Sequence, residues 1–409
     1  MLYRHLLDDA LRERREEFMR FERSWRADVL DYVRRLRGLE GQTALEIEAL
    51  AGHGRGALPS PELERAGSIV IPFGKGWRTH EEARRWAIDA LQERVTFAAD
   101  GSQLLPGREI SMPVAAVQVA WFENPHTRDG KYHKQARCSI LSPKELLEGA
   151  DDRINANTIV DFHRFKLETE EAAAFLKRKS GWQTRGERTP VAFFDGTLLI
   201  SIALPKTRIQ DAYVRALVEL VRLSRETEVP LVGYVDQSYA RDLVRLLDSL
   251  PREANQPGDG ANDNSLSNNN SLYDAQLLHA SLEGEAPLLE AWGDRTSFCY
   301  SRREGFEDEG GQPLVGFTYL QTTSEGAPAR LDVPVWIYEA GLLDDVVDAV
   351  RAECVTGLGY PYVIEAADQA ACIGMQDRAH FLHAIQDFAE KENLGFRLSR
   401  KAASKVRRR

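Results

Sequence analysis

"FAADGSQLLPG" at 97–107 closes an apolar, strand-like run with a carboxylate, Asp100, followed by a glycine and a hydroxyl. "VAFFDGTLLIS" at 191–201 repeats the pattern with Asp195, Gly196 and Thr197. Either stretch alone reads as a strand running into a turn, because Asp-Gly is ordinary turn chemistry. The second is a short continuous apolar run, which marks a central strand buried on both faces. The question is what lies between and around them.

After the first stretch, "MPVAAVQVAWFEN" (112–124) and "KYHKQARCSILS" (131–142) have the content and alternation of two further strands, with turn signals suited to antiparallel hairpins. "NTIVDFHRFKLETEEAAAFLKRK" (157–179) has the period of a long amphipathic helix. Beyond the second stretch come a helix (209–228), the strand "VPLVGYVD" (229–236) and a helix over 238–250. Three antiparallel strands feeding β-α-β units predict a mixed sheet with helices on its faces. That is the element order of the ribonuclease H-like α/β fold.

Flanking regions read more simply. Residues 5–38 predict one or two charged helices, with Leu7, Leu11, Phe18, Phe21 and Trp25 at helical spacing. "AGHGRGALPSPELERAG" (51–67) is a loop, "SIVIPFG" (68–74) a strand, and Thr79 with Glu82 has capping-box spacing for a helix start. The Asn-, Gly- and Ser-rich stretch 251–272 predicts a disordered insertion. "FTYLQTT" and "ARLDVPVWIYE" predict a strand hairpin, 341–357 a helix, "YPYVIEAADQAACIG" (360–374) strand or loop, and 376–392 a closing helix. The domain reading is a helical extension over 1–67, a catalytic domain over 68–390 and a basic tail over 391–409.

Net charge is −10, which argues against a simple electrostatic nucleic-acid binder. The segment 397–409 carries seven basic residues and no acidic one, leaving 46 basic against 63 acidic residues in the body, or −17. The tail is suited to phosphates or an acidic partner, or is simply solvated. Four scattered cysteines without a CxxC pair point to a reduced, cytoplasmic setting without structural zinc. No apolar run is long enough for a membrane span, and the charged N-terminus lacks a signal-peptide core.

In a ribonuclease H-like core, carboxylates from separate elements converge on hard divalent cations that prefer oxygen ligands. Two such ions support in-line displacement at a phosphodiester. The topology places Asp100 and Asp195 at the ends of adjacent strands, with Gly101 and Gly196 letting the backbone turn away. The intervening helix offers Glu168, Glu170 and Glu171; Phe165, Glu168 and Ala172 share a face, so Glu168 is best placed and Glu171 next. Each of these glutamates also has the bland reading of a solvated helix face.

At this point the chain resembles the NurA family of DNA-repair nucleases in its bacterial form. The likeness is carried by "FAADGSQLLPG" with "PVAAVQVAWFENPH", by Arg164 to Glu168, and by "FFDGTLL". It continues through "GYVDQSYARDLVRLL", "WGDRTSFCY", "FTYLQTT…ARLDVPVWI" and "GYPYVIEAADQAACI", from about residue 68 to 390. The resemblance implies a nuclease using Mn²⁺ or Mg²⁺, two ions, that processes DNA ends with the hexameric ATPase HerA, as a homodimer. It implies that Asp100, Glu168 and Asp195 are catalytic metal ligands. Where the family often carries a histidine after the "YP" motif, Asp368 is the match here. Ser102 and Arg295 are candidates for contact with DNA, Arg295 alternatively for a structural salt bridge. Tyr319 and Trp336 are candidates for a subunit or partner interface, or for the core. The competing functional reading is a weakly active or inactive adaptor that clamps DNA for the ATPase. A transposase or integrase sharing the fold fits less well, because no separate basic DNA-binding domain is evident.

Overall fold

The computed structural model describes residues 3–52, 54, 56–107, 110–148, 154–200, 207–251, 272–281, 286–324 and 326–395. The basic tail from 396 and nearly all of the Asn-rich stretch therefore lie outside the described residues. The chain divides into two compact units, 1–76 with 235–331, and 77–234 with 332–409.

The first unit opens with helices α1 (Arg4–Glu13), α2 (Arg15–Arg37) and α3 (Ala44–Ala51), strand β1 (Ala57–Pro59), helix α4 (Pro61–Ala66) and strand β2 (Val70–Ile71). The chain then builds the second unit with α5 (His80–Leu91), β3 (Thr96–Leu104), β4 (Ala115–Asn124), β5 (His133–Leu141), α6 (Pro143–Glu148), α7 (Ala156–Lys179), β6 (Val191–Asp195), α8 (Arg208–Thr227) and β7 (Leu231–Val235). It returns through α9 (Asp242–Ser249), α10 (Asp274–His279), β8 (Arg295–Thr296), β9 (Cys299–Ser301), β10 (Val315–Leu320) and β11 (Ala329–Pro334). It finishes with α11 (Val335–Glu339), α12 (Leu343–Thr356), α13 (Tyr362–Ala371) and α14 (Met375–Lys391).

In the second unit the strand order is β7-β6-β3-β4-β5. β3, β4 and β5 form an antiparallel meander, while β6 runs parallel to β3 and β7 parallel to β6. This is the ribonuclease H-like arrangement read from the element order. Phe97, Ala98, Phe193 and Val232 are fully buried in its middle, and Phe97 stacks on Phe175 of α7 at 4.5 Å. Thr79 caps α5 by accepting from the Glu82 N–H at 3.2 Å, as the capping-box spacing predicts.

The first unit has its own core, formed by Val29, Val33 and Leu36 of α2, Ile47 of α3, Leu243 and Leu247 of α9, and Phe317 and Tyr319 of β10. Leu7, Leu11, Phe18 and Phe21, at the other end of the N-terminal helices, are exposed. Beneath α9, the fully buried Asp274 accepts from the N–H groups of Asp242, Leu243 and Val244 at 2.8, 3.1 and 3.0 Å, replacing the side-chain cap that Arg241 does not supply.

Several readings change. "VWIYE" is the helix α11, and "YPYVIEAADQAACIG" contains the helix α13. The β-branched Val363 and Ile364 mislead, but Val363, Ile364, Ala366, Ala367 and Ala371 form one buried helical stripe. The carboxylate of buried Glu353 accepts from the Val363 N–H at 3.0 Å and from the Thr96 hydroxyl at 2.7 Å, fixing the start of α13 over β3.

Arg295 takes the alternative role of a structural salt bridge. It is 1 % exposed and gives a two-pronged bond to Glu62 at 2.6 and 2.8 Å, so its charge is spent inside the first unit. Tyr319 is fully buried and donates to Asp274 at 3.0 Å, so it belongs to the core, while the half-buried Trp336 donates from its indole to Ser224 at 3.2 Å.

Candidate active site

Strand β3 does not end at Asp100. It runs on to Leu104, and Asp100, Gly101 and Ser102 pair with Ala120, Val119 and Gln118 of β4. The "DGS" triplet is therefore interior to a strand, and Gly101 is not a turn. A Cβ on it would lie 2.5 Å from Glu168 Oε1 and 2.6 Å from Arg164 Cγ. Glycine is required there because helix α7 lays two side chains flat across the strand.

Asp195 does sit at a strand end. Gly196 follows with φ of +121°, a conformation that side chains avoid. The Thr197 hydroxyl donates to buried Asp332 at 2.5 Å and the Leu198 N–H donates to it at 3.0 Å, so the loop after β6 is pinned from below. Gly233 of β7 permits this, since a Cβ there would meet the Gly196 carbonyl oxygen at 2.8 Å.

The paired residues of β3 and β6 run from Thr96 with Val191 to Ala99 with Phe194. One step further, Asp100 and Asp195 stand abreast on neighbouring strands, a backbone separation of about 4.8 Å.

Glu168 arrives from α7, where Phe165, Glu168 and Ala172 share the buried face. Phe165 packs against Phe194 of β6 at 6.0 Å between ring centroids, which sets the helix over the two aspartates. Arg164, one turn earlier, donates from Nη1 to Glu168 Oε1 at 2.9 Å and to the Gly101 carbonyl at 3.2 Å. Glu170 and Glu171 belong elsewhere, since both pair with Arg137 of β5, at 2.6 and 3.0 Å.

Asp368 is exposed on α13. The end of that helix is held to the sheet by Gln118, whose amide donates to the Ala371 carbonyl at 3.1 Å, and by the Ile373 N–H, which donates to Ser102 Oγ at 3.3 Å. Ser102 thus anchors α13, a role the sequence did not suggest.

Three of these carboxylates are raised by burial and by neighbouring charge. Burial, with the charges of Asp195 and Asp368 adding to it, pushes Asp100 up to about 6 despite the Gly101 N–H bond. Burial raises Glu168 further, to about 8, against the pull of Arg164 and with the charges of Asp100 and Asp195 added. Asp195 shows more surface to solvent, yet neighbouring chain still desolvates its carboxylate and raises it, with Asp368 contributing and a bond from Tyr360 opposing. Among the described residues, no three Asp, Glu, His or Cys side chains close tightly enough to hold one ion as they stand. Glu168 Oε1 is instead paired with Arg164 Nη1 at 2.9 Å.

Two residues that touch the candidate site escaped the sequence reading as such. Tyr360 donates to Asp195 Oδ1 at 3.0 Å and packs edge-on against Tyr234 at 5.2 Å. Arg164 was visible only as part of a motif, with no role attached. Neither has a sequence signal of its own, because each is defined by a partner far along the chain or by the helix period. Tyr360→Phe is expected to slow any reaction that depends on ionised Asp195 by roughly tenfold or more, the worth of a hydrogen bond to a charged group. It should also move the acid limb of the pH–rate profile to higher pH. An unmoved limb would count against the assignment.

The family profile described as the NurA domain matches residues 94–373, more than half of the chain and all of the site just described. This chain belongs to the NurA family. No curated protein matches it. Among solved structures, the chain is similar to a crystal structure of NurA with manganese at 11 % identity and TM-score 0.40, over 75 % of this chain and 95 % of that one. It is also similar to NurA bound to dAMP and manganese, at 11 % identity and TM-score 0.35, over 75 % of this chain and 92 % of that one. The catalytic domain of human endonuclease V matches at 13 % identity and TM-score 0.33, over 81 % and 94 % of the two chains. Within the NurA domain of this chain, Asp100, Glu168, Asp195 and Asp368 offer only oxygen donors and an excess of negative charge. Such a donor set fits a hard divalent cation and does not fit a soft one.

Proposed function

We propose that this chain is a divalent-metal-dependent deoxyribonuclease that hydrolyses phosphodiester bonds at DNA ends, working beside a HerA-type hexameric ATPase. The observation that carries the reading is the pair Asp100 and Asp195, abreast on adjacent strands with Glu168 and Asp368 within electrostatic reach. Asp100, Asp195 and Glu168 would hold Mn²⁺ or Mg²⁺, two ions in number, with Asp368 at the rim. The ions supply charge neutralisation at the phosphate and activation of water.

The protein's own contribution is placement. β3 and β6 fix the two aspartates on rigid strands, and Tyr360 orients the Asp195 carboxylate. Glu168, held by Arg164 beside Gly101, would complete the oxygen donor set around a bound cation. A homodimeric, cytoplasmic protein is part of the same proposal. So is a partner ring that supplies the positive surface the −10 chain lacks.

The test is cleavage of linear DNA with Mn²⁺ or Mg²⁺ against EDTA, for the chain alone and with the hexameric ATPase and ATP. Metal-dependent cleavage supports the nuclease. A stable complex with DNA and ATPase that never cleaves would establish the competing adaptor, which the Arg164–Glu168 lock and an aspartate at 368 favour.

The raised carboxylates give a second expectation. Their folded-state proton affinities exceed those of an unfolded chain, so protonation stabilises the fold. Without metal, stability should fall as pH rises from about 4 through about 8. Cations must displace the same protons, so Mn²⁺ should raise the melting temperature more at pH 8 than at pH 6. Equal shifts at both pH values would remove this support.

A further inference from the structure

Arg164 has more hydrogen-bonding capacity than its ion pair uses. Nη1 serves both Glu168 and the Gly101 carbonyl, while Nε and Nη2 bond to no described protein group. The side chain is 34 % exposed, so an incoming group can reach it. Its stem lies flat on β3 over Gly101, which places the charge beside Asp100 on a rigid strand.

We propose that Arg164 is a phosphate-binding residue of the site, gripping an oxygen of the DNA backbone beside the bond that is cut. The inference rests on the nuclease reading and adds to it the group that receives the anionic substrate. An approaching phosphodiester meets the carboxylates of Asp100, Asp195, Glu168 and Asp368, and needs fixed positive charge as well as cations. Among the described residues, the Arg164 charge acts on Asp100, Glu168 and Asp195 together, each of which it pulls down. Nearby basic side chains are already committed: Arg137 to Glu170 and Glu171, Arg178 and Lys179 to Glu123. A planar guanidinium with one edge anchored and the other open matches two-point recognition of phosphate, which an ammonium cannot reproduce.

The test is DNA binding without turnover. Full-length Asp195→Asn protein, which the nuclease reading makes inactive, is titrated in calcium buffer with a short fluorescein-labelled duplex over a range of salt. Adding Arg164→Gln should weaken binding about tenfold and lower the slope of log K against log salt by about 0.9, one phosphate contact. Arg164→Lys should keep the slope and lose a few-fold in affinity. Unchanged affinity and slope in Arg164→Gln would overturn the proposal, because a purely structural arginine moves only the melting temperature. Should Arg164→Gln not fold, Arg164→Lys decides: a few-fold loss at constant slope supports the proposal, and parental affinity overturns it. Absence of binding by the parent at low salt overturns it too. Failure of the wild-type chain to cleave DNA with any divalent metal would sink the nuclease reading instead, and leaves this binding result to stand by itself.

Discussion

Asp195→Asn is expected to reduce metal-dependent DNA cleavage by roughly three orders of magnitude or more, while making the metal-free protein more stable at neutral pH. The two effects have one cause. Asp195 stands abreast of Asp100, and its charge contributes to raising the proton affinity of both Asp100 and Glu168. Replacing it with a neutral isostere relieves that repulsion in the fold and removes a ligand from the site. Melting temperature in EDTA should therefore rise, and the further rise on adding Mn²⁺ should shrink or vanish. Glu170→Gln, on the same helix as Glu168 but turned to Arg137, is the matched control and should leave cleavage unchanged. Wild-type cleavage by Asp195→Asn would remove the metal-site reading altogether.

Gly101→Ala is expected to have the second largest effect, and it changes no ionisable group. The added methyl would fall 2.5 Å from Glu168 Oε1 and 2.6 Å from Arg164 Cγ. Both side chains belong to a helix packed on the sheet, and Glu168 is only 9 % exposed, so relief requires α7 to lift or its side chains to leave their positions. Overpacking of this kind costs about 1–3 kcal/mol. A displacement near 1 Å at reacting groups costs roughly a hundredfold in rate. Melting temperature and cleavage rate should both fall. Gly76→Ala serves as the control, since a Cβ there meets nothing within 4 Å. A fully active, fully stable Gly101→Ala would show that Arg164 and Glu168 are not packed rigidly against Gly101.

Much of the fold was legible because its signals are local. The apolar run 191–194 read as a central strand, and the turn-separated runs after 112 suited antiparallel hairpins, as β6 and the β3-β4-β5 meander bear out. Once the order was right, Asp100 and Asp195 had to be neighbours. The face shared by Phe165, Glu168 and Ala172 follows from the helix period, which is why Glu168 stood out from Glu170 and Glu171. Elsewhere local signals pointed the wrong way. β-branched Val363 and Ile364 resembled a strand, yet the carboxylate of Glu353 and the packing over β3 and β4 settle α13 as a helix. Arg295, a plausible phosphate ligand by type, is neutralised by Glu62, more than two hundred positions earlier.

The sequence by itself determined the ribonuclease H-like order, the pairing of the two Asp-Gly motifs and the helix face that carries Glu168, because periodicity and turn chemistry are properties of neighbouring residues. Only the tertiary structure decided what those motifs do. It kept "DGS" inside strand β3, where Gly101 makes room for Arg164 and Glu168, and made "DGT" a true turn tied to Asp332. It brought Tyr360 to Asp195 and left one edge of Arg164 open. These depend on contacts between residues tens to hundreds of positions apart, and such contacts form only when burial of the core fixes the elements against each other.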